Sequence, residues 1–137
     1  MTRSNMADWR NPQAASVLPL ALLAAALAWA SIAIGVPVWR ALVLLLVAPV
    51  AEELVFRAGL HDYLLHKGAS LWLANLLTAL AFSAAHMLLL GVNPQTALVW
   101  FPALLIGAAY NRWRRLRLCI ALHMAMNALW IVVHGMS

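Results

Sequence analysis

Long apolar runs separated by short polar clusters organise the whole chain. A helix needs ~20 mostly apolar residues to cross the ~30 Å hydrocarbon core of a bilayer. Runs approaching this length lie at residues 17–35, 41–65, 71–90, 96–110 and 118–133. Charged and turn-forming residues divide them, so the pattern predicts an all-α, polytopic transmembrane helix bundle of about five spans.

Pro49 and Pro102 lie inside the second and fourth of these runs. Because proline removes a helical hydrogen bond, each marks either a kink or a new helix start. A restart at Pro49 would place Glu52 and Glu53 in a first helical turn, where the helix dipole favours carboxylates. At Pro102 both alternatives remain open.

The first apolar run has a second interpretation. An arginine-flanked start, an apolar stretch and the tripeptide Ala28-Trp29-Ala30 also fit a secretory signal peptide with its cleavage site. The run continues beyond the usual length of such a signal, which favours a retained span.

The amino-acid composition excludes a water-soluble domain. Hydrophobic residues make up 66% of the chain and charged residues 9%, against about a quarter charged in soluble domains. The net charge of +5 does not indicate a nucleic-acid partner, because the bases sit at the ends of apolar runs. We expect a single membrane domain over residues 1–137, with the motif-bearing core at about 41–134.

The distribution of bases predicts the orientation in a lipid bilayer. With the N-terminus inside, most bases fall on the cytoplasmic side, namely Arg3, Arg10, Lys67, Arg112, Arg114, Arg115 and Arg117. Arg40 alone falls outside. The positive-inside rule therefore predicts a multi-pass protein of the cell (inner) membrane, with a cytoplasmic N-terminus and an external C-terminus.

Three ionisable residues lie close together in the middle of the second run. Glu53 and Arg57 are four residues apart and share a helix face, so they can pair. Glu52 points about 100° away and remains available for chemistry. A structural ion pair and a role in catalysis stay open for Glu53 and Arg57, whereas a reactive carboxylate is favoured for Glu52.

Two further spans carry polar groups at helical spacing. Phe82 and His86 share a face of the third predicted span, where the phenyl ring can pack the imidazole. His123 and Asn127 share a face of the fifth, where the amide can orient the imidazole or donate outward. Each histidine alone also fits a packing role, but helix bundles build sites from facing polar side chains.

The ordered set of motifs resembles a known family. Residues 52–57 fit EExxxR, residues 82–86 fit FxxxH, and residues 123–127 fit HxxxN. Together they resemble the CPBP or Abi intramembrane proteases, which are related to the CAAX-processing endopeptidases of the Rce1 type. The short chain looks most like a small bacterial branch of glutamic proteases, such as those paired with JDVT-CTERM C-terminal sorting tails.

The resemblance implies hydrolysis of a peptide bond in a membrane-anchored protein substrate, without a cofactor. It implies that Glu52 deprotonates a water that His86 helps to hold. It further implies that His123 and Asn127 stabilise the oxyanion, with Glu53, Arg57 and Phe82 supporting the site.

Other functions remain open. Glu52, His86 and His123 have the composition of a His₂Glu catalytic zinc site, which would give an intramembrane metalloprotease. A non-catalytic immunity or helper protein could keep the same fold. A small transporter could use the buried carboxylates to carry protons.

Depth along the helices raises a problem for this site. At ~1.5 Å per residue, Glu52 lies ~22 Å from Lys67, and His86 lies ~24 Å from the same inner end. His123 lies only ~9 Å from Arg117. The site therefore requires the last span to begin deep, to tilt, or to carry arginines that reach the surface.

A last expectation concerns the inner end of the second span. Asp62 and His66 are four residues apart, so we expect them to pair and to cap this helix.

Overall fold

A computed structural model describes Trp29 and residues 37–134 of the protein. The predicted first span, apart from Trp29, and the polar N-terminal segment lie outside the described residues. The alternative of a cleaved signal peptide also falls there.

The first described helix, α1, runs without a break over residues 38–66 and corresponds to the second predicted span. Three α-helical segments (Val38–Leu42, Ala48–Glu53, Asp62–His66) alternate with two π-helical segments (Val43–Val47, Leu54–His61). Val47 and Ala48 keep right-handed helical dihedral angles beside Pro49. The helix therefore does not restart at this proline, and Glu52 and Glu53 lie in the middle of α1.

Four more helices follow: α2 (Leu71–Leu90), α3 (Pro94–Leu98), α4 (Trp100–Trp113) and α5 (Leu116–His134). Ser70 caps α2 by accepting a hydrogen bond from the Leu73 N–H. Asn93 and Thr96 form a capping box at the start of α3. Pro102 lies in the first turn of α4, where its missing N–H costs no hydrogen bond.

The long helices form an antiparallel ring in which α1 packs against α2 and α5, and α4 packs against α2 and α5. One end of the ring carries the turn at residues 112–117 and is called the arginine end. The other end carries the turn at residues 91–95 and is called the Asn93 end. Ala41, Leu45, Ala128 and Ile131 pack together between α1 and α5, towards the Asn93 end.

The bundle buries ionisable side chains and exposes large apolar ones, as membrane proteins do. Fully or nearly buried side chains include Glu53, Arg57, His61, Thr78 and His123. Large apolar side chains line the exposed face of α1, among them Leu46, Val47, Val50, Leu54 and Val55. Helix α2 and residues Leu116–Val133 are long and apolar enough to cross a membrane. Among the described residues the structure confirms the predicted all-α membrane bundle.

A polar cluster joins three helices at the arginine end. The Asp62 carboxylate accepts hydrogen bonds of 2.8 Å from the Tyr110 hydroxyl and from Arg114 Nη2. His66 Nδ1 instead lies 2.7 Å from the backbone oxygen of Asp62. The expected pairing of the Asp62 carboxylate with His66 is therefore wrong, because helix α4 and its C-terminal turn supply the donors to this carboxylate.

A second set of contacts lies beside this cluster. His61 is fully buried, and its Nε2 lies 2.9 Å from Asn111 Oδ1. The Asn111 amide donates in turn to the Leu71 carbonyl, over 2.9 Å. Helices α1, α2 and α4 are thereby tied together at the arginine end.

Candidate active site

The π-helical segment of α1 frees one backbone carbonyl. The Ala48 N–H bonds the carbonyl of Val43, five residues earlier. In that register the next donor would be the nitrogen of Pro49, which has no hydrogen, and its acceptor would be Leu44. Asn127 Nδ2 donates to the Leu44 carbonyl over 2.8 Å. Asn127 therefore binds α1 rather than orienting His123.

A buried ion pair lies one turn further along α1. Arg57 Nε is 3.0 Å from Glu53 Oε2, and both side chains are fully buried. Arg57 Nη2 also donates to the Ala103 carbonyl of α4, over 2.9 Å. Because a buried charge is costly without partners, this guanidinium fixes Glu53 and α4 relative to each other.

His123 of α5 lies between the two glutamates. Its Nδ1 is 2.9 Å from Glu53 Oε1, and its Nε2 is 3.5 Å from Glu52 Oε2. A carboxylate accepts hydrogen bonds, so Nδ1 carries a proton and donates to Glu53. Both ring nitrogens thus face a carboxylate, and the imidazole links the adjacent acids of α1.

The two glutamates differ in accessibility. The Glu53 side chain is fully enclosed, whereas 27% of the Glu52 side chain is exposed. Glu52 also lines a cavity within the bundle. It is the carboxylate that a water or a substrate can approach.

His86 is held by its neighbour on α2. The centroids of the Phe82 and His86 rings lie 4.3 Å apart, with the planes tilted by 34°. His86 Nδ1 lies 3.0 Å from the Phe82 carbonyl, which can only accept, so Nδ1 carries the proton. In the neutral ring, Nε2 is then a hydrogen-bond acceptor.

One cavity of about 700 Å³ connects these groups. It is lined by all seven site residues predicted from the sequence, namely Glu52, Glu53, Arg57, Phe82, His86, His123 and Asn127. Apolar side chains complete the wall, among them Leu44, Met126, Trp130 and Ile131. Three helices therefore place polar groups in one space, as the motif spacing predicts.

The apparent difference in depth between His123 and the glutamates disappears once the contacts at the arginine end are known. Arg114 contacts Asp62 rather than the region of Lys67. Asp62 follows Glu53 by nine residues, and His123 follows Arg114 by nine residues. Counting from Asp62 instead of Lys67 therefore brings His123 to the level of Glu53.

Several contacts of the site have no sequence signal of their own. Motif spacing gave no indication that Glu53 would orient His123, that Asn127 would bind Leu44, or that Arg57 would reach the Ala103 carbonyl. Pro49 follows Leu44 by five residues. This spacing predicts a free Leu44 carbonyl only if the π-helical hydrogen-bond register of α1 is already known. Contacts between distant residues depend on helix register, which hydropathy does not encode.

The geometry does not fit the zinc alternative. Among the described residues, no three His, Cys, Asp or Glu side chains converge in a way that could hold a metal ion. The protonated Nδ1 atoms of His86 and His123 each face an acceptor. Metal-bound histidines make the same contact, so it does not distinguish the two mechanisms.

Comparison with known proteins now gives the family. UPF0177 protein YbdI of Lactococcus lactis subsp. lactis (strain IL1403) is 29% identical over 105 residues. The alignment covers 72% of this chain and 51% of YbdI, so the chain spans about half the length of that curated relative. No solved structure matches the chain. Residues 34–129 match the family described as Type II CAAX prenyl endopeptidase Rce1-like. Since this match covers most of the chain, the protein belongs to the Rce1-like endopeptidase family, and the predicted CPBP/Abi relationship is confirmed.

Proposed function

We propose that the protein is an intramembrane endopeptidase in which Glu52 activates the attacking water. The observation that carries this proposal is the accessible Glu52 carboxylate in a cavity shared with His86 and His123. The family adds support, because its name describes a peptide hydrolase. The substrate is a membrane-anchored protein.

The acceptor atoms around the cavity suit a water nucleophile. Glu52 and the Nε2 atom of His86 can each accept one hydrogen of the same water molecule. A lone pair on the oxygen of this water then points towards the substrate carbonyl. As that oxygen attacks the carbonyl carbon, one proton passes to Glu52, and the carbonyl π electrons move onto the oxygen.

Two donors are available for the resulting oxyanion. His123 supplies an N–H to the oxyanion when its Nε2, 3.5 Å from Glu52 Oε2, carries a proton. Asn127 uses one amide N–H for Leu44, and its second makes no hydrogen bond within the described part of the chain. Collapse of the tetrahedral intermediate breaks the C–N bond, and the proton on Glu52 passes to the leaving amine.

The test is processing of a co-expressed membrane-anchored substrate, with the cleavage site mapped by mass spectrometry. Candidate substrates include proteins with a C-terminal sorting tail. Loss of a general base costs typically ~10²–10⁴-fold in rate, so Glu52→Gln should reduce cleavage by this factor. Asp62→Asn is the matched control, because that carboxylate lies at the arginine end and does not line the cavity.

Persistent cleavage by correctly inserted Glu52→Gln would refute the proposal. A biological effect that survives in the same variant without cleavage would instead favour the helper function. Chelator separates the two hydrolytic mechanisms. The glutamate mechanism predicts full activity after chelation, whereas loss of activity that zinc restores would support a metalloprotease.

A further inference from the structure

The cavity draws its walls from only one half of the bundle. Beyond Glu52 it continues along Leu90, Asn93, Leu98 and Trp130, which lie towards the Asn93 end. Within the described part of the chain, no residue between 57 and 82 or between 106 and 123 lines it. The cavity therefore runs from the middle of the bundle to the Asn93 end.

Side chains at that end are open to the surroundings. Leu90 is 67% exposed and Leu98 is 60% exposed. Gln95 is exposed, and its amide makes no hydrogen bond among the described residues. These three residues form the rim of the cavity and are called the mouth.

The arginine end is closed by polar contacts. Tyr110 and Arg114 both bond Asp62, and the Arg114 guanidinium lies 4.5 Å from the centroid of the Tyr110 ring. Beneath them, fully buried His61 packs edge-on against Tyr110, with ring centroids 5.4 Å apart. A substrate cannot pass this layer without separating α1 from α4.

Resting on the proposed endopeptidase function, we propose that the cavity opens on the non-cytoplasmic side of the membrane and receives an uncharged, apolar segment of a membrane-anchored protein exposed there. The side follows from charge. Five bases, Lys67, Arg112, Arg114, Arg115 and Arg117, lie at the arginine end, and Arg40 lies at the other. The positive-inside rule places the arginine end in the cytoplasm, and hence the mouth outside.

The nature of the segment follows from the walls near the mouth. Their polar side chains, Asn93, Gln95 and Thr96, carry no charge, and the others are apolar. A charged substrate side chain would lose its hydration there without gaining an ionic partner. The Gln95 amide offers both a donor and an acceptor to the backbone of an extended segment.

Cysteine labelling of the full-length chain tests the sidedness. Gln95→Cys reports the mouth, and Arg115→Cys, exposed at the arginine end, is the matched control. Both are made in a Cys119→Ser background, so that the native thiol, which is fully buried, cannot contribute to the labelling. A charged, membrane-impermeant maleimide is added to sealed right-side-out vesicles and, separately, to inverted vesicles.

The expected result is modification of Gln95→Cys only in right-side-out vesicles and of Arg115→Cys only in inverted ones. Leu98→Cys, a second mouth variant, should follow Gln95→Cys and covers the case in which one substitution impairs insertion. Modification of both mouth variants only in inverted vesicles, or in neither preparation, would overturn the proposal. Labelling does not require cleavage, so an inactive protein with the expected pattern would refute the proposed function and leave the sidedness intact.

Discussion

Glu52 and Glu53 are adjacent in the chain and have different surroundings. Glu53 is fully buried between Arg57 and His123, with contacts of 3.0 and 2.9 Å. Glu52 has one longer contact, 3.5 Å to His123, and faces the cavity. The first therefore holds the helices together, and the second remains open to reactants.

Removing the charge of Glu53 should destabilise the fold. In Glu53→Gln, the buried Arg57 guanidinium loses its counter-ion, and breaking a buried pair in this way costs about 3–5 kcal/mol. We expect a lower midpoint of thermal unfolding for the purified protein in detergent. Increased trypsin sensitivity of the membrane-inserted protein would report the same loss.

Glu52→Gln is the matched control, because it makes the same chemical change one residue away. The side chain is partly exposed and its ionic contact is long, so we expect a loss of at most ~1 kcal/mol. Equal destabilisation of both variants would show that the two carboxylates share the structural role.

Helix α1 depends on another helix to complete its hydrogen bonding. The Leu44 carbonyl has no donor at Pro49, and Asn127 of α5 supplies one. An unsatisfied buried acceptor costs about 1–3 kcal/mol. Leu44 is half-buried, so Asn127→Ala should be destabilising by about 1 kcal/mol, the lower end of this range. Pro49→Ala introduces a backbone N–H at the missing position.

A double-mutant cycle tests this dependence. Because the new alanine N–H can donate to the Leu44 carbonyl, Asn127→Ala should cost less in the Pro49→Ala background than in the native chain. Unfolding midpoints of the four proteins in detergent give the coupling. Strict additivity would show that Asn127 and Pro49 act independently.

Close packing of α2 on α4 depends on a glycine. A Cβ atom built at Gly107 would collide with the side-chain amide of Asn75, which donates to the Leu104 carbonyl over 3.1 Å. Gly107→Ala should therefore displace this amide and destabilise the protein by about 1–3 kcal/mol. Thermal unfolding in detergent measures the change.

Gly59→Ala provides the comparison. A Cβ at Gly59 would meet only the Leu54 carbonyl, at an ordinary contact distance of 3.5 Å. Alanine also has the higher helix propensity, so we expect no loss of stability. A loss equal to that of Gly107→Ala would contradict a specific contact with Asn75.

At this scale the sequence predicts helices well and their internal irregularities poorly. Hydropathy placed the predicted span 71–90 where α2 lies, because an apolar run of this length has no other stable form in a bilayer. The two π-helical segments were not predicted, since hydropathy does not encode the hydrogen-bond register within a helix. Motif spacing selected the residues of the cavity, but their partners depend on the pairing of α1 with α5.

The whole molecule is organised by that antiparallel pairing. Two contacts of α5 support one register, His123 with Glu53 and Ile131 packed with Leu45. Arg114, in the turn before α5, contacts Asp62 and agrees with it. The register places a polar cluster at the arginine end, the acids in the middle and an apolar contact near the Asn93 end.

Cross-linking can test the register in membranes. In a Cys119→Ser background, Leu45→Cys with Ile131→Cys should be joined by a short bifunctional thiol reagent, because these positions share an apolar cluster. Leu45→Cys with Leu118→Cys should not be joined, since residue 118 lies near the opposite end of α5. Mass spectrometry of the digested protein identifies the linked peptides, and the reverse pattern would refute the pairing.

The hydrogen bond from Asn127 to the Leu44 carbonyl can form only late in biosynthesis. Translation delivers α1 early and α5 after every other described helix. Until α5 leaves the ribosome and enters the bilayer, α1 lacks the amide that completes its backbone and the imidazole that joins its acids. A nascent chain therefore holds Glu52 without His123, and the proposed catalytic group is complete only when the last helix has been synthesised.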